Sequence, residues 1–293
     1  MRVAIVGAGL MGAQIGCEYA LGGHEVRLHA RDLRRAQQRV DEGFALVDRH
    51  ALFTADEVRA AAARVSTAAD PGDAASGADL LVESLPEDLE LKTAVLRAAL
   101  AEAPEAHVAT NTSSLSIAAI GEAIGSPERT VGTHYLNPPL LMPPVEVIGG
   151  ERTAPETVEL ARKTLIALGK LPVVVRRDVP GFVWNRLQFA LVRECAWLVE
   201  HGVASAEDVD VVMREGLARR WRRVGPLRAV ALGGIDTWNR SGRGIVPDLS
   251  NARELPDLAT VAITEGNVSD DAGARDAALA RELREERALG AAR

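Results

Sequence analysis

Six residues near the start, Gly7-Ala8-Gly9-Leu10-Met11-Gly12, narrow the choice of fold more than any other segment of this chain. They form a G-x-G-x-x-G pattern. It follows the apolar run Val3-Ala4-Ile5-Val6 and opens a helical stretch, Leu10 to Leu21. Strand, glycine turn and helix together are the context in which this pattern binds a dinucleotide. Gly7 permits the tight turn. Gly9 lets the backbone approach a pyrophosphate, and Gly12 lets helix and strand pack closely. The helix start, with Leu10 and Met11, offers unpaired N–H groups to the phosphates. A ligand-free glycine turn is the plainer alternative, and the flanking elements disfavour it.

The rest of the first half keeps the alternation. Strand-like runs at Glu25–His29, Leu80–Val82, His107–Thr110, Thr130–Tyr135, Val145–Ile148 and Leu171–Val175 alternate with helical stretches. One such stretch, Leu33 to Arg64, is interrupted near Leu52 to Thr54, where Thr54 and Glu57 spell a capping box. The pattern predicts an α/β chain with a Rossmann-like, doubly wound parallel sheet. After Pro180-Gly181 the periodicity is mainly helical. Leu187, Leu191 and Leu198 share one face. Ser205 reads as the N-cap of a helix that carries Val209, Val212 and Met213 inward and ends near Gly216. The expected division is a dinucleotide-binding domain over residues 1–178 and an all-α domain over 179–293, for substrate and dimerisation. Beyond Thr264 the polar composition reads as a solvated helix or a loose tail.

Charge and composition exclude several classes. A net charge of −7 and a pI of about 5.5 disfavour nucleic-acid binding, which depends on neutralising phosphates. Two cysteines, Cys17 and Cys195, build neither a disulfide framework nor a zinc site. No metal is expected, and a reducing cytoplasm is the expected compartment. No apolar run approaches the roughly 18 residues of a membrane helix.

The second strand of such a fold normally ends in an acidic residue that holds the ribose 2′-hydroxyl. Here that position is Ala30, followed by Arg31 and Asp32. A small residue beside an arginine suits a 2′-phosphate, so the reading leans to NADP while leaving NAD open. Asp32 is either a displaced ribose ligand or the N-cap of the next helix. At the carboxyl ends of later strands, where ligands bind in open α/β sheets, stand Asn111-Thr112-Ser113-Ser114 and His134, with Glu146 in the following strand. A histidine paired with a carboxylate is a standard neutral-pH base. Taken singly, His134 reads as a core histidine, Glu146 as a surface strand residue and Ser113 as an N-cap before Ile117. Their shared place at the ligand end favours chemistry.

Six ordered motifs now carry a resemblance. They are residues 7–12, Glu-Ser-Leu-Pro-Glu-Asp-Leu-Glu-Leu-Lys at 83–92, Asn-Thr-Ser-Ser-Leu at 111–115, His-Tyr-Leu-Asn-Pro-Pro at 134–139, Val-Glu-Val-Ile at 145–148 and Pro-Gly-Phe-Val-Trp-Asn-Arg-Leu at 180–187. In order and spacing they resemble the L-3-hydroxyacyl-CoA dehydrogenase family, over roughly residues 1–240. Asn-Pro-Pro at 137–139 and Gly-Leu-Ala-Arg-Arg-Trp at 216–221 resemble its L-gulonate 3-dehydrogenase and carnitine dehydrogenase branch. The resemblance implies that His134 is the general base and Glu146 its orienting partner. It implies that Ser113 and Asn185 hydrogen-bond the substrate oxygen, with Asn137 in the same polar cluster. Glu87 and Lys92 would lie on the nicotinamide-ribose side, and Asn111 among the cofactor contacts. Arg220 would bind a substrate anion, against the plainer reading of its arginine run as a solvated helix face. A homodimer through the helical domain is also implied.

The leading expectation is hydride transfer between a 3-hydroxyacyl thioester, on CoA or a carrier protein, and NAD or NADP. A small free 3-hydroxy acid is the second reading. The helical region after residue 40, which in the family helps to hold CoA, has no lysine here. A non-catalytic dinucleotide-binding protein is the third. Retention of Ser113, His134, Glu146 and Asn185 together argues against it.

Overall fold

Val3, Ala4, Ile5 and Val6 are all buried because the first strand lies inside an eight-stranded sheet covered on both faces. The computed structural model describes residues 1–256 and 271–291. The strands are β1 (Arg2–Val6), β2 (Glu25–His29), β3 (Val65–Ala68), β4 (Leu80–Glu83), β5 (His107–Thr110), β6 (Thr130–Tyr135), β7 (Pro144–Gly149) and β8 (Leu171–Val175). Their order is β3-β2-β1-β4-β5-β6-β7-β8. Every neighbouring pair is parallel except β6 and β7. The expected parallel sheet thus contains one antiparallel pair. Residues 136–143 are too few for the helical crossover that a parallel connection needs.

Helices Leu10–Leu21 and Leu33–Arg49 cover one face, where Ile15, Tyr19, Val40 and Phe44 meet Ile5 and Leu28. Helices Leu89–Glu102 and Ile117–Ile124 cover the other, bringing Leu96, Ala99 and Ile120 onto Leu81 and Val108. Each such buried aliphatic side chain contributes about 1.5–3 kcal/mol. The Thr54/Glu57 capping box forms as predicted and opens helix Ala55–Ala62. Neither β3 nor helix Pro71–Ala75 was expected from the sequence. Val65-Ser66-Thr67-Ala68 is a short edge strand, half-buried or exposed throughout, and so shows little apolar signal.

The chain divides into two compact units, residues 1–185 with 272–293, and residues 186–271. The last helix, Asp271–Ala291, realises the helical alternative for the tail, but one face of it is docked and not solvated. Ala280 and Leu283 are buried in the first unit's core. The Arg287 guanidinium lies 4.9 Å from the Phe53 ring centroid and donates to the Leu52 carbonyl at 3.0 Å. The polar stretch before it, residues 257–270, lies outside the described residues.

The second unit is helical. Ser205 caps helix Ala206–Val211 by accepting from Asp208 N. The helical path does not end at Gly216. It runs through a π-helical segment, Val212–Ala218, into Arg219–Val224. Val209 is buried, but Leu187 and Val212 are exposed. No helix among the described residues is long and apolar enough to cross a membrane.

Candidate active site

The glycine turn has the shape a dinucleotide needs. Gly7 adopts φ +106°, and a Cβ there would stand 2.7 Å from the Ser84 carbonyl oxygen. Both observations restrict the position to glycine. A Cβ on Gly12 would collide with the Gly7 carbonyl. A Cβ on Gly9 would meet nothing within 4 Å, so the space beside that backbone is open to a ligand. Helix Leu10–Leu21 starts at Gly9 without a side-chain cap. Its first N–H groups fit a diphosphate.

A cavity of about 380 Å³ continues from the turn past Ala30, Arg31, Asp32, Arg35 and Arg39. Asp32 is the N-cap of helix Leu33–Arg49, accepting from Arg35 N at 3.0 Å. Arg39 donates to the Ala8 carbonyl at 2.8 Å. Arg35 and Arg39 are additions to the sequence reading. Arg35 and Arg39 stand one turn apart on helix Leu33–Arg49, and that spacing was the available signal.

His134 and Glu146 are twelve positions apart in the chain, yet they face each other directly across β6 and β7. The antiparallel register, invisible in the sequence pattern, is what joins them. His134 Nδ1 lies 2.7 Å from Glu146 Oε2, with both residues 4% exposed. A carboxylate has no hydrogen to donate, so Nδ1 carries a proton, and in the neutral imidazole Nε2 then presents the lone pair. Ser113 Oγ lies 3.2 Å from that Nε2. Burial pushes the Glu146 carboxyl up. The bonds from His134, Trp184 N and Val183 N outweigh it and hold the group below the usual range, as a carboxylate.

A tight turn supplies those backbone donors. Gly181 and Phe182 have φ +76° and +47°. The Phe182 ring, 1% exposed, lies edge-on to His134 with centroids 5.5 Å apart. Val183 N and Trp184 N donate to Glu146 Oε1 at 2.8 and 2.9 Å. A left-handed phenylalanine is a costly backbone state of the kind found at functional sites. Nothing in the motif around it revealed that conformation. Next in the chain, Asn185 Nδ2 reaches the Ser113 carbonyl at 3.5 Å.

The Ser113 loop rests on carboxylates from the end of β4. Glu83 is fully buried and bonds Lys92 Nζ at 2.6 Å and Thr110 Oγ1 at 2.6 Å. Lys92, 1% exposed, also donates to the Leu85 carbonyl at 3.2 Å and lies 3.4 Å from Glu87 Oε2. Glu87 Oε1 takes hydrogen bonds from the loop Thr112–Leu115. Asn111 accepts from Tyr135 N at 2.8 Å and donates to Ser84 Oγ at 3.3 Å, tying the ends of three strands. In the structure, then, Glu87, Lys92 and Asn111 all have work inside the protein. Glu83, like Arg35 and Arg39, was missed in sequence. An acidic side chain closing the apolar run Leu80-Leu81-Val82 was a usable signal.

The remaining candidates are described by their own elements. The N-cap before Ile117 is Ser116, not Ser113. Asn137 is exposed beyond β6 and precedes a cis peptide to Pro138. Arg220 is exposed on helix Arg219–Val224 of the second unit. Its neighbour Arg219 pairs with Glu215 at 3.3 Å.

Comparison with known proteins identifies the family. Residues 2–179 match the family model of the 3-hydroxyacyl-CoA dehydrogenase NAD binding domain, and residues 181–279 that of the 3-hydroxyacyl-CoA dehydrogenase C-terminal domain. The chain is 36% identical over 258 residues to a 5-formyl-3-hydroxy-2-methylpyridine 4-carboxylate 5-dehydrogenase from Mesorhizobium japonicum, covering 87% of this chain and 82% of that one. It is 32% identical to an L-carnitine dehydrogenase of the same organism, covering 80% of this chain and 64% of that one. A crystal structure of the pyridine carboxylate dehydrogenase, described as an NAD+ dependent dismutase, superimposes with a TM-score of 0.85. The identity is 33%, and the match covers 98% of this chain and 97% of that one.

Proposed function

Because the chain belongs to the 3-hydroxyacyl-CoA dehydrogenase family and is a nicotinamide-dependent oxidoreductase acting on CH–OH groups, we propose that its substrate is a small free hydroxy acid and not an acyl thioester. The observation that carries the catalytic reading is the relay Ser113–His134–Glu146, an exposed serine hydroxyl on a buried His–Glu pair, beside an open dinucleotide cradle. The substrate class draws on two further observations. The relatives are named for a pyridine carboxylate and for carnitine, both small carboxylates. Helix Leu33–Arg49 and the residues that follow to 64 contain no lysine to receive a CoA phosphate.

A nicotinamide bound in the cradle supplies a two-electron hydride acceptor or donor. In the oxidative direction His134 Nε2 takes the substrate hydroxyl proton as hydride leaves the carbinol carbon, and a carbonyl results. Glu146 stabilises the imidazolium that forms. Ser113 Oγ and Asn185 Nδ2 donate to the oxygen as charge builds on it, each contributing about 3 kcal/mol to the transition state. Arg220 is assigned to the substrate carboxylate on the family resemblance, because a planar guanidinium matches that group. The test is a panel of free hydroxy acids and CoA thioesters read by nicotinamide absorbance. Turnover of free acids well above that of thioesters supports the proposal. The reverse order returns the substrate to the thioester class.

The family model and the solved relative point to NAD. At the ribose 2′ position this chain presents the short Ala30, with Arg31 and Arg35 lining the same cavity. We therefore expect NADP(H) to be used at least as well as NAD(H). Ala30→Asp is expected to shift the preference about tenfold towards NAD(H), since a new carboxylate repels a 2′-phosphate. Strict NAD(H) selectivity of the unaltered enzyme would contradict this.

The helical unit exposes large apolar side chains, with Leu227 85% and Leu232 70% exposed. Such surface is consistent with a homodimer, the commonest soluble assembly. Light scattering is expected to give about twice the 31.1 kDa chain mass, and a monomer would contradict it. The cytoplasm remains the proposed compartment, on the free thiols of Cys17 and Cys195.

A further inference from the structure

Glu87 is distinguished by how many donors converge on one of its oxygens. Glu87 Oε1 accepts from Thr112 Oγ1 at 2.6 Å, Ser113 N at 2.9 Å, Ser114 N at 2.7 Å, Ser114 Oγ at 2.9 Å and Leu115 N at 3.3 Å. Three successive backbone N–H groups that point at one anion form a nest. Here the anion is a side chain of the protein itself. The loop has no regular structure to satisfy those groups, so without Glu87 the N–H groups of Ser113 and Ser114 would lack their partner, while Leu115 N would keep Thr112 Oγ1 at 3.1 Å.

The carboxylate is itself held in place. Lys92 Nζ lies 3.4 Å from Oε2 and is fixed by Glu83 and by the Leu85 carbonyl. Asp88, next in the chain, caps helix Leu89–Glu102 by accepting from Glu90 N and Leu91 N. A continuous series of bonds thus runs from buried Glu83 through Lys92 and Glu87 to the Ser113 backbone. From Ser113 Oγ it continues to His134 Nε2.

We propose that Glu87 is a positioning residue, which acts through the 112–115 nest to hold the Ser113 hydroxyl at the His134 imidazole. This rests on the dehydrogenase reading above and gives Glu87 a role different from the cofactor contact implied by family resemblance. Burial alone would raise the Glu87 carboxyl. The bonds from Thr112 and Ser114 and the nearby Lys92 ammonium bring it down to about 2, so the anion persists at any working pH.

The role separates from its alternatives in a double-mutant cycle. Glu87→Gln keeps one acceptor oxygen but loses the charge and sets an amide against Lys92. Its kcat is expected to fall about 10- to 100-fold, the scale of a misplaced catalytic group, and Glu87→Ala is expected to fall further. The dissociation constant of the dinucleotide, titrated directly, is expected to stay within about twofold. In a Ser113→Ala background, Glu87→Gln is expected to add little. Additive losses would overturn the proposal, as would a loss confined to dinucleotide affinity. Amide hydrogen exchange supplies a reading independent of turnover. Ser113 and Ser114 are expected to be protected in the unaltered chain and to lose that protection in Glu87→Ala while β4 and β5 keep theirs. Equal exchange in both proteins overturns the proposal even if no substrate is ever turned over. Absence of turnover in the unaltered chain, with the protection pattern intact, counts against the dehydrogenase reading alone.

Discussion

His134→Ala is expected to lower kcat by at least 10²-fold, the low end for loss of a general base, while leaving dinucleotide binding nearly unchanged. His134 sits at the end of β6, in contact with Glu146, Ser113 and Phe182, and none of these belongs to the glycine turn. Glu146→Gln is a subtler case. Glu146 uses one oxygen for His134 and the other for Val183 N and Trp184 N. A glutamine can offer its single oxygen to the histidine or to the backbone pair, never to both. We expect a smaller loss of turnover than for His134→Ala, with about 1–3 kcal/mol of stability lost through the unmet partner. Steady-state kinetics and urea unfolding check the two parts separately. Near-normal turnover in a folded His134→Ala protein would remove the proposed mechanism.

Lys92→Met is expected to have the largest effect on stability. Lys92 and Glu83 form an ion pair 1% and 0% exposed at the side chains, at 2.6 Å. Removing one partner of a buried pair leaves an uncompensated charge and costs about 3–5 kcal/mol. Glu83 would keep Thr110 Oγ1 and Leu85 N as donors, but neither carries a positive charge. Replacing both residues, Glu83→Gln with Lys92→Met, is expected to recover a good part of the loss, because the fully buried Glu83 charge is gone and Glu87 keeps its hydrogen-bond donors in the 112–115 loop. Urea denaturation with an unchanged m-value reads this directly. A Lys92→Met protein as stable as its parent, but with weakened dinucleotide affinity, would support the ribose contact that family resemblance suggests.

What was legible in the sequence follows from how local each signal is. The glycine turn, the Thr54 capping box and the Ser205 cap depend on neighbours within a few positions, and all three appear where their residues predict. Strands with continuous apolar runs were equally plain. The exposed edge strand β3 was not, because a strand with little buried surface has little pattern. The pairing of His134 with Glu146 was suggested by chemistry but decided by antiparallel register, a long-range property that periodicity does not encode. Ser113 was picked out for its place after β5. The carboxylate that its loop bonds, Glu87, lies well upstream, and the family resemblance had assigned it to the nicotinamide-ribose side. The positive φ of Phe182 had no signal at all, since its motif reads as an ordinary loop before a helix. For the last helix, a mainly polar composition hid Ala280 and Leu283, which are enough to dock it on the first unit.

The central claim is that this site moves a hydride from a carbinol carbon while His134 takes the hydroxyl proton. Deuterium placed on the carbinol carbon of the best substrate tests it most directly. The account predicts that reduced dinucleotide recovered from the unaltered enzyme is one mass unit heavier, with no label in the solvent. It also predicts that His134→Ala, saturated with the same dinucleotide, yields almost none of this labelled product. Turnover with the label lost to water, or equal labelling by His134→Ala, would contradict it.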